Sequence, residues 1–499
     1  MSERKFLKQS ALVLIGLMFV AYFAISCARS KAVAQSIVLQ PCNLPDLTVK
    51  AQCGNLEVFE NRATRKGRKI SLNIVVLPAT GKDRAADPLF YIPGGPGQSA
   101  TEDAPGVAAI AARIHERHDL VFLDQRGTGG SHPLNCEFYN KSDPQSYLEY
   151  FFPLDDVKKC RQQLEATSDL TLYTTSIAMD DLDEVRAALG YEKINIFGGS
   201  YGTRAALVYL RQHPLHVRTI ILQGVAPTYQ FMPYDFPQGN ERALQGIINE
   251  CAADVACHTA FPNLDTETKS VLRRLLQGPV EVELPAPNAS GAASSATRIK
   301  VKLSRDLAAE AIRYMLYNPV AAGRVPLVLH QAANGNFVPL TQNALQYRQA
   351  LVGSGSTGLY LSITCAEDLP WIKPGEGERL ATNTFLGDYR LRQQRQACAL
   401  WPRASIPAGY SEPVRGSAPV LILTGQWDPV TPPENGDKAA RYLPNSLHIV
   451  VPHGGHTLEG LDGIECVDNL ITQFIEEGTT KNLKTDCVKN IRRKEFAVK

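Results

Sequence analysis

Three side chains of the types used for acyl transfer, Ser200, Asp428 and His456, each follow a short apolar run in this chain. Ser200 is the centre of Gly198-Gly199-Ser200-Tyr201-Gly202, set after Ile194-Asn195-Ile196-Phe197 and before a helical stretch from Thr203 to Arg211. A serine hydroxyl attacks a carbonyl only if it stands clear of the backbone beside a base, and a sharp strand-to-helix turn flanked by glycines achieves that. The pentapeptide alone is weak, because a random chain of this length shows the pattern about one time in six. The order serine, acid, histidine along the chain adds the missing context.

Val420-Leu421-Ile422-Leu423-Thr424-Gly425 runs into Gln426-Trp427-Asp428, and Leu447-His448-Ile449-Val450-Val451 into Pro452-His453-Gly454-Gly455-His456. Asp428 is the expected acid and His456 the expected base. His453 competes, but it sits at the strand end, whereas two glycines let the chain before His456 turn back over a site. An oxyanion hole needs backbone N–H groups aimed at the developing charge. Phe90-Tyr91-Ile92-Pro93-Gly94-Gly95-Pro96-Gly97 supplies a strand and a glycine turn, in which Pro96 has no N–H. Gly95, or its neighbour Gly94, and Tyr201 are the expected donors. A further strand, Leu120 to Leu123, ends in Asp124-Gln125-Arg126-Gly127, read as an ion pair between Asp124 and Arg126 that pins a loop beside the site.

Gly94-Gly95-Pro96-Gly97, Asp124-Gln125-Arg126-Gly127-Thr128-Gly129-Gly130-Ser131 and Gly198-Gly199-Ser200-Tyr201-Gly202-Thr203 together resemble the prolyl-aminopeptidase and tripeptidyl-aminopeptidase family of α/β-hydrolases. The resemblance covers nearly the whole mature chain and extends to the C-terminal region of the tripeptidyl-aminopeptidase-like branch. Pro93 departs from the prolyl-aminopeptidase pattern, which has His before Gly-Gly-Pro-Gly. The resemblance implies an exopeptidase releasing one to three residues from a free N-terminus. Such an enzyme must neutralise the substrate amine, and Glu367 and Asp368, beside Cys365, are the carboxylates expected to do it. The alternative is an esterase or amidase for small non-peptide substrates, with the same three residues and a different pocket. Neither reading needs a metal or cofactor.

The positioning elements read as an α/β fold with a mostly parallel sheet and helices on both faces. Leu56 to Arg62 and Ile70 to Leu77 form an opening antiparallel pair. Leu89 to Ile92, Leu120 to Leu123, Ile194 to Phe197 and Thr219 to Leu222 then alternate with helices such as Ala178 to Leu189. Residues 35–228 make the first part of the core, 229–355 an inserted helical lid and 356–499 the second part. Clear lid helices are Glu241 to Ala253, Thr266 to Leu276 and Arg305 to Leu316. The low-complexity stretch Pro285 to Ser295 reads as a loop, and its sequon Asn288-Ala289-Ser290 matters only in a glycosylating host.

Length and composition fit an enzyme: 499 residues, 44% hydrophobic, formal charge +2. Residues 1–34 hold five basic side chains and one acidic, which leaves the rest at −2, and no basic patch points to nucleic acid. Arg4, Lys5 and Lys8, an apolar stretch from Ala11 to Ser26 and Ala32-Val33-Ala34 read as a signal peptide or N-terminal anchor. Ala24-Ile25-Ser26-Cys27 also resembles a lipid-attachment box, so contact with a membrane is expected only through an uncleaved segment or a lipidated Cys27. The expected location is periplasmic or secreted, with tethering open. Ten cysteines remain beyond Cys27, an even number that suits disulfides in an exported chain. Pairing neighbours in order gives Cys42–Cys53, Cys136–Cys160, Cys251–Cys257, Cys365–Cys398 and Cys466–Cys487, with reduced thiols as the other reading. The substrate expected is a peptide or a small acyl compound.

Overall fold

The computed structural model describes residues 36–287, 293–353 and 355–499. The leader, Cys27 and the sequon at Asn288 lie outside them. The chain opens with β1 (Gln40–Cys42), β2 (Ala51–Phe59) and β3 (Lys69–Leu77), antiparallel to one another, with Asn55 of β2 opposite Asn73 of β3. Next come β4 (Leu89–Ile92), α1 (Ala100–Ile110) and β5 (Leu120–Leu123). Helix α2 (Thr175–Ala188) leads to β6 (Ile194–Gly199), α3 (Tyr201–Gln212) and β7 (Val217–Gln223).

The sheet has nine strands in the order β1-β2-β3-β5-β4-β6-β7-β10-β11, where β10 is Val420–Gly425 and β11 is Ser446–Val451. From β5 to β11 every pairing is parallel. These central strands are mostly apolar because helices cover both faces, and β5 (Leu-Val-Phe-Leu) is apolar throughout. Helix α3 shows the same logic: ten consecutive residues, Tyr201 to Leu210, are buried. The one polar residue inside β6, Asn195, is satisfied there, since its amide donates to Asp87 and its carbonyl accepts from Thr219 at 2.6 Å.

Residues 224–419 separate β7 from β10. They contain α4 (Phe236–Ala253), α5 (Leu264–Leu276), the antiparallel hairpin β8 (Val280–Pro287) and β9 (Ala293–Leu303), α6 (Arg305–Met315) and α7 (Val338–Gly353). Helices α8 (Thr357–Glu367) and α9 (Tyr389–Cys398) follow, and after β11 comes α10 (Glu465–Glu477). The hairpin replaces part of the expected loop at 285–295. Its strands alternate as Val-Glu-Val-Glu-Leu and Ile-Lys-Val-Lys-Leu, with Glu281 opposite Lys302 and Glu283 opposite Lys300, a period-two pattern readable in the sequence. The sheet itself resumes only at Val420, later than the expected boundary near residue 356. What begins there is packing: the end of α8 is rooted in α2 and α3 through Glu367 and Asp368.

All five cysteine pairs in neighbour order are disulfides, with Cα–Cα distances from 5.1 to 5.9 Å. Asp124 and Arg126 do not pair with each other. Arg126 turns inward, where Nε and Nη2 grip Asp181 at 2.6 and 2.9 Å, and Asp124 turns the other way, accepting from Ser99, Thr101 and the N–H of Gly130. The chain leaves β5 in a turn, so residues two apart no longer share a face. Asp124 nonetheless anchors the start of α1, directly after the Gly94–Gly97 turn.

Candidate active site

Ser200 sits between β6 and α3 with φ 54° and ψ −121°, a left-handed conformation that costs a non-glycine residue roughly 1–3 kcal/mol. Its neighbours hold it there. The Ser200 N–H donates to Gln223 O at 2.9 Å and its carbonyl accepts from the Thr203 N–H at 2.9 Å. Gly198 and Gly202 face each other across the turn, where a Cβ on Gly198 would lie 2.5 Å from Gly202 O. One on Gly202 would lie 2.0 Å from Ile92 O, at the end of β4. The same compactness brings the oxyanion candidates close: a Cβ on Gly94 would lie 3.1 Å from Ser200 Cβ, and Gly95 has φ 108°. Tyr201 opens α3, with its ring buried and its hydroxyl 2.8 Å from Thr175 Oγ1.

Asp428 follows β10 and is fully buried. Its Oδ2 is 2.8 Å from His456 Nδ1 and accepts from Thr431 Oγ1 at 2.7 Å, while Oδ1 accepts from the N–H groups of Val430 and Thr431 at 2.8 and 2.9 Å. Burial by itself would raise its pKa. The adjacent His456 and the backbone donors outweigh that and hold the carboxyl below the usual range. The loop carrying His456 is fitted against β10, since a Cβ on Gly425 would fall 1.9 Å from Gly455 O. Tyr317, just past α6, meets the His456 ring edge-on with centroids 5.0 Å apart. His453 is turned elsewhere, to Glu250 of α4.

Ser200, His456, Gly94 and Gly95 line one cavity of about 730 Å³. Asp103, Glu459 and Asp468 also line it, and burial raises the carboxyls of Asp103 and Asp468. Arg313 and Arg390 reach it from the inserted helices α6 and α9. Neither arginine belongs to a motif, so nothing in the sequence singled them out.

Glu367 and Asp368 are placed differently from the sequence expectation. Both are fully buried and neither lines the cavity. Glu367 accepts from the Thr175 N–H and hydroxyl at 2.7 and 2.8 Å and from the Tyr410 hydroxyl. Asp368 pairs with the buried Arg204 at 2.8 Å and accepts from the Met232 N–H. The disulfide at Cys365 does fix this end of α8, but the two carboxylates point into the joint between α2 and α3. Within the described residues no group of three or more metal-ligand side chains occurs at the cavity; one such cluster, Asp183, His213 and His216, lies on α2 and the turn after α3.

Residues 87–458 match the alpha/beta hydrolase fold family. Over 96% of its length the chain is 28% identical to serine protease Hip1 of Mycobacterium tuberculosis, of which 95% is covered. It is 25% identical to a tripeptidyl aminopeptidase of Streptomyces lividans, over 92% of this chain and 88% of that protein. Carboxylesterase B of Mycobacterium tuberculosis is 27% identical, with 88% and 86% covered. Among solved structures, the proline iminopeptidase of Mycobacterium smegmatis aligns over 85% of this chain and 98% of its own, with a TM-score of 0.40 and 15% identity. A strained serine after a central strand, a buried aspartate on a histidine and a match spanning residues 87–458 agree: the chain belongs to the α/β-hydrolase fold family and is a serine hydrolase.

Proposed function

We propose that this enzyme is an exported exopeptidase that releases one to three residues from the free N-terminus of peptides. The observation that carries the chemistry is the 2.8 Å contact between Asp428 and His456, at the cavity that Ser200 and His456 both line. Ser200 Oγ attacks the carbonyl carbon while His456 Nε2 takes its proton, and Asp428 stabilises the imidazolium so formed. The N–H groups of Tyr201 and Gly95 receive the oxyanion. The protonated His456 then gives its proton to the leaving amine, and water, activated by the same histidine, releases the acyl group.

Three features support a peptide substrate acted on at its end. The chain aligns almost end to end with Hip1 and the tripeptidyl aminopeptidase. Inserted helices contribute Phe236, Arg313 and Tyr347 to the cavity, which restricts how much chain can enter. Asp103, Glu459 and Asp468 give that cavity carboxylates for an amine, in place of Glu367 and Asp368. Export is supported by the five disulfides, a pattern kept in oxidising compartments. No described helix is long and apolar enough to cross a membrane.

One observation favours small acyl substrates instead: part of the cavity is apolar, lined by Leu89, Val107, Ile114, Val467 and Ile471. A matched panel separates the readings. A free-amino tripeptidyl amide, its N-acetylated form and a short-chain ester are each assayed beside Ser200→Ala. Cleavage of the free-amino substrate, lost on acetylation and in Ser200→Ala, is expected. Turnover of the ester alone would overturn the peptidase reading.

A further inference from the structure

The cavity wall formed by the inserted helices holds more positive charge than it neutralises. Arg313 on α6 and Arg390 on α9 both line the cavity, and both are more than nine-tenths buried. Arg348 on α7 lies behind them, fully buried. Among the described residues the one carboxylate paired with them is Glu310, whose Oε2 lies 3.2 Å from Arg313 Nη1 and 3.9 Å from Arg390 Nη1. Arg348 is held by the carbonyls of Tyr147 and Tyr150, which leaves its charge uncompensated.

The arginines are packed face-on and left free at their edges. The Arg390 guanidinium lies 3.6 Å from the centre of the Phe151 ring, and that of Arg313 lies 4.9 Å from Phe236 and 5.1 Å from Tyr317. Stacking occupies the flat faces and leaves the N–H groups at the rim for an acceptor. Tyrosine hydroxyls take some of them: Arg313 donates to Tyr317 at 2.6 Å and to Tyr347 at 3.3 Å, and Arg390 to Tyr360 at 3.4 Å. Arg390 Nη1 and Arg313 Nε have no hydrogen-bond partner among the described residues. A buried guanidinium N–H without an acceptor is costly, and a charged acceptor recovers the most.

We propose that Arg313 and Arg390 form a subsite for a carboxylate of the substrate, so that the enzyme prefers peptides with a negative charge at one fixed distance from the scissile bond. Tyr317 sets that distance, because it accepts from Arg313 and packs its ring against His456. The proposal rests on the peptidase reading above and narrows it. Two sources supply the same group: an acidic side chain in the released fragment, or the C-terminal carboxylate of a short peptide.

Two substrate pairs distinguish these sources. Tripeptidyl amides carrying Glu or Gln at each position in turn report on the released fragment, and short peptides with a free or amidated C-terminus report on the leaving side. In one of the two pairs the acid is expected to exceed its amide by about ten- to one-hundredfold in kcat/KM. Arg390→Met is expected to bring that ratio close to one, and Arg390→Lys to keep part of it. If Arg390→Met does not fold, the wild-type ratios decide. Titrating the same pairs into Ser200→Ala by calorimetry reads binding whether or not turnover occurs. Equal binding and equal turnover of acid and amide in both pairs overturn the subsite while leaving a Ser200-dependent peptidase standing. Absence of Ser200-dependent turnover with every peptide overturns the peptidase reading itself.

Discussion

His453 Nδ1 lies 2.7 Å from Glu250 Oε1, so the two histidines of the loop after β11 have separate partners. His453 ties the loop to the inserted helix α4, and His456 meets Asp428. Trp427 Nε1 donates to the same Glu250 oxygen at 2.6 Å, and Arg493 Nε to the other at 2.8 Å. One carboxylate therefore joins the insertion to the loops that carry both the aspartate and the histidine of the site.

Replacing the two histidines should have different effects. His456→Ala removes the proposed base and is expected to lower kcat by roughly 10⁴- to 10⁶-fold with little change in the unfolding midpoint. His453→Ala leaves the base in place and loosens the loop, so its main effect should be a midpoint lower by a few degrees, with kcat reduced about tenfold or less. Steady-state kinetics and thermal unfolding on both variants check this. A greater kcat loss for His453→Ala would transfer the base to that residue.

The Glu250 junction should weaken in acid. Burial alone would raise its carboxyl, but His453, Arg493 and Trp427 hold it at about 2, below its ordinary 4.5. A depressed folded-state pKa gives stability that is complete above the unfolded value and is lost as pH falls through the folded one. The wild type should thus exceed Glu250→Gln by a constant margin near neutrality, on the order of 2 kcal/mol once partial hydration of the group is allowed for. Between about pH 4.5 and 2 that margin should close. Denaturant unfolding at a series of pH values measures it, and a margin indifferent to pH would remove Glu250 from the account.

The parts of this architecture visible in the sequence are those set by local pattern. The runs at Leu89, Leu120 and Val420 became strands at those residues because a buried parallel strand is a short apolar run ended by glycine or a polar turn. Asp428 and His456 came from the same signal, as the first acid and a glycine-preceded histidine after late strands. What escaped depends on distant partners. Arg126 reaches Asp181 fifty-five positions away, and Glu367 reaches Thr175 across 192, with no spacing to announce either. Arg313 and Arg390 meet at the cavity from different helices of the insertion, and only folding brings them together.

Asp368 and Arg204 are both fully enclosed, and their 2.8 Å pair sits between α3 and the end of α8. Asp368→Asn would leave the Arg204 charge buried without its partner, a loss of roughly 3–5 kcal/mol. The fraction that still folds should keep the wild-type preference for free-amino over acetylated substrates, because the carboxylate is taken up by Arg204 and does not line the cavity. Unfolding measurements beside the substrate ratio test both halves. Loss of the free-amine preference at undiminished stability would return Asp368 to the substrate.

Gly199 and Gly202, on either side of the serine, make a sharper test of the strained geometry, since they differ in what surrounds them. A Cβ on Gly202 would lie 2.0 Å from Ile92 O and 2.7 Å from Pro93 O, both backbone atoms that cannot swing aside, whereas one on Gly199 would meet nothing within 4 Å. Gly202→Ala must therefore push α3 away from β4, separating the N–H of Tyr201 from the Gly94–Gly97 turn. We expect it to be insoluble or to lose at least about 10²-fold in kcat, the cost of a misplaced oxyanion donor. Gly199→Ala should unfold within about 1 kcal/mol of wild type, because it adds a methyl to open space at a residue whose φ any side chain tolerates. Soluble yield, unfolding midpoint and kcat for the two variants decide it, and a stable, fully active Gly202→Ala would mean that the close contact between α3 and β4 does not position the serine.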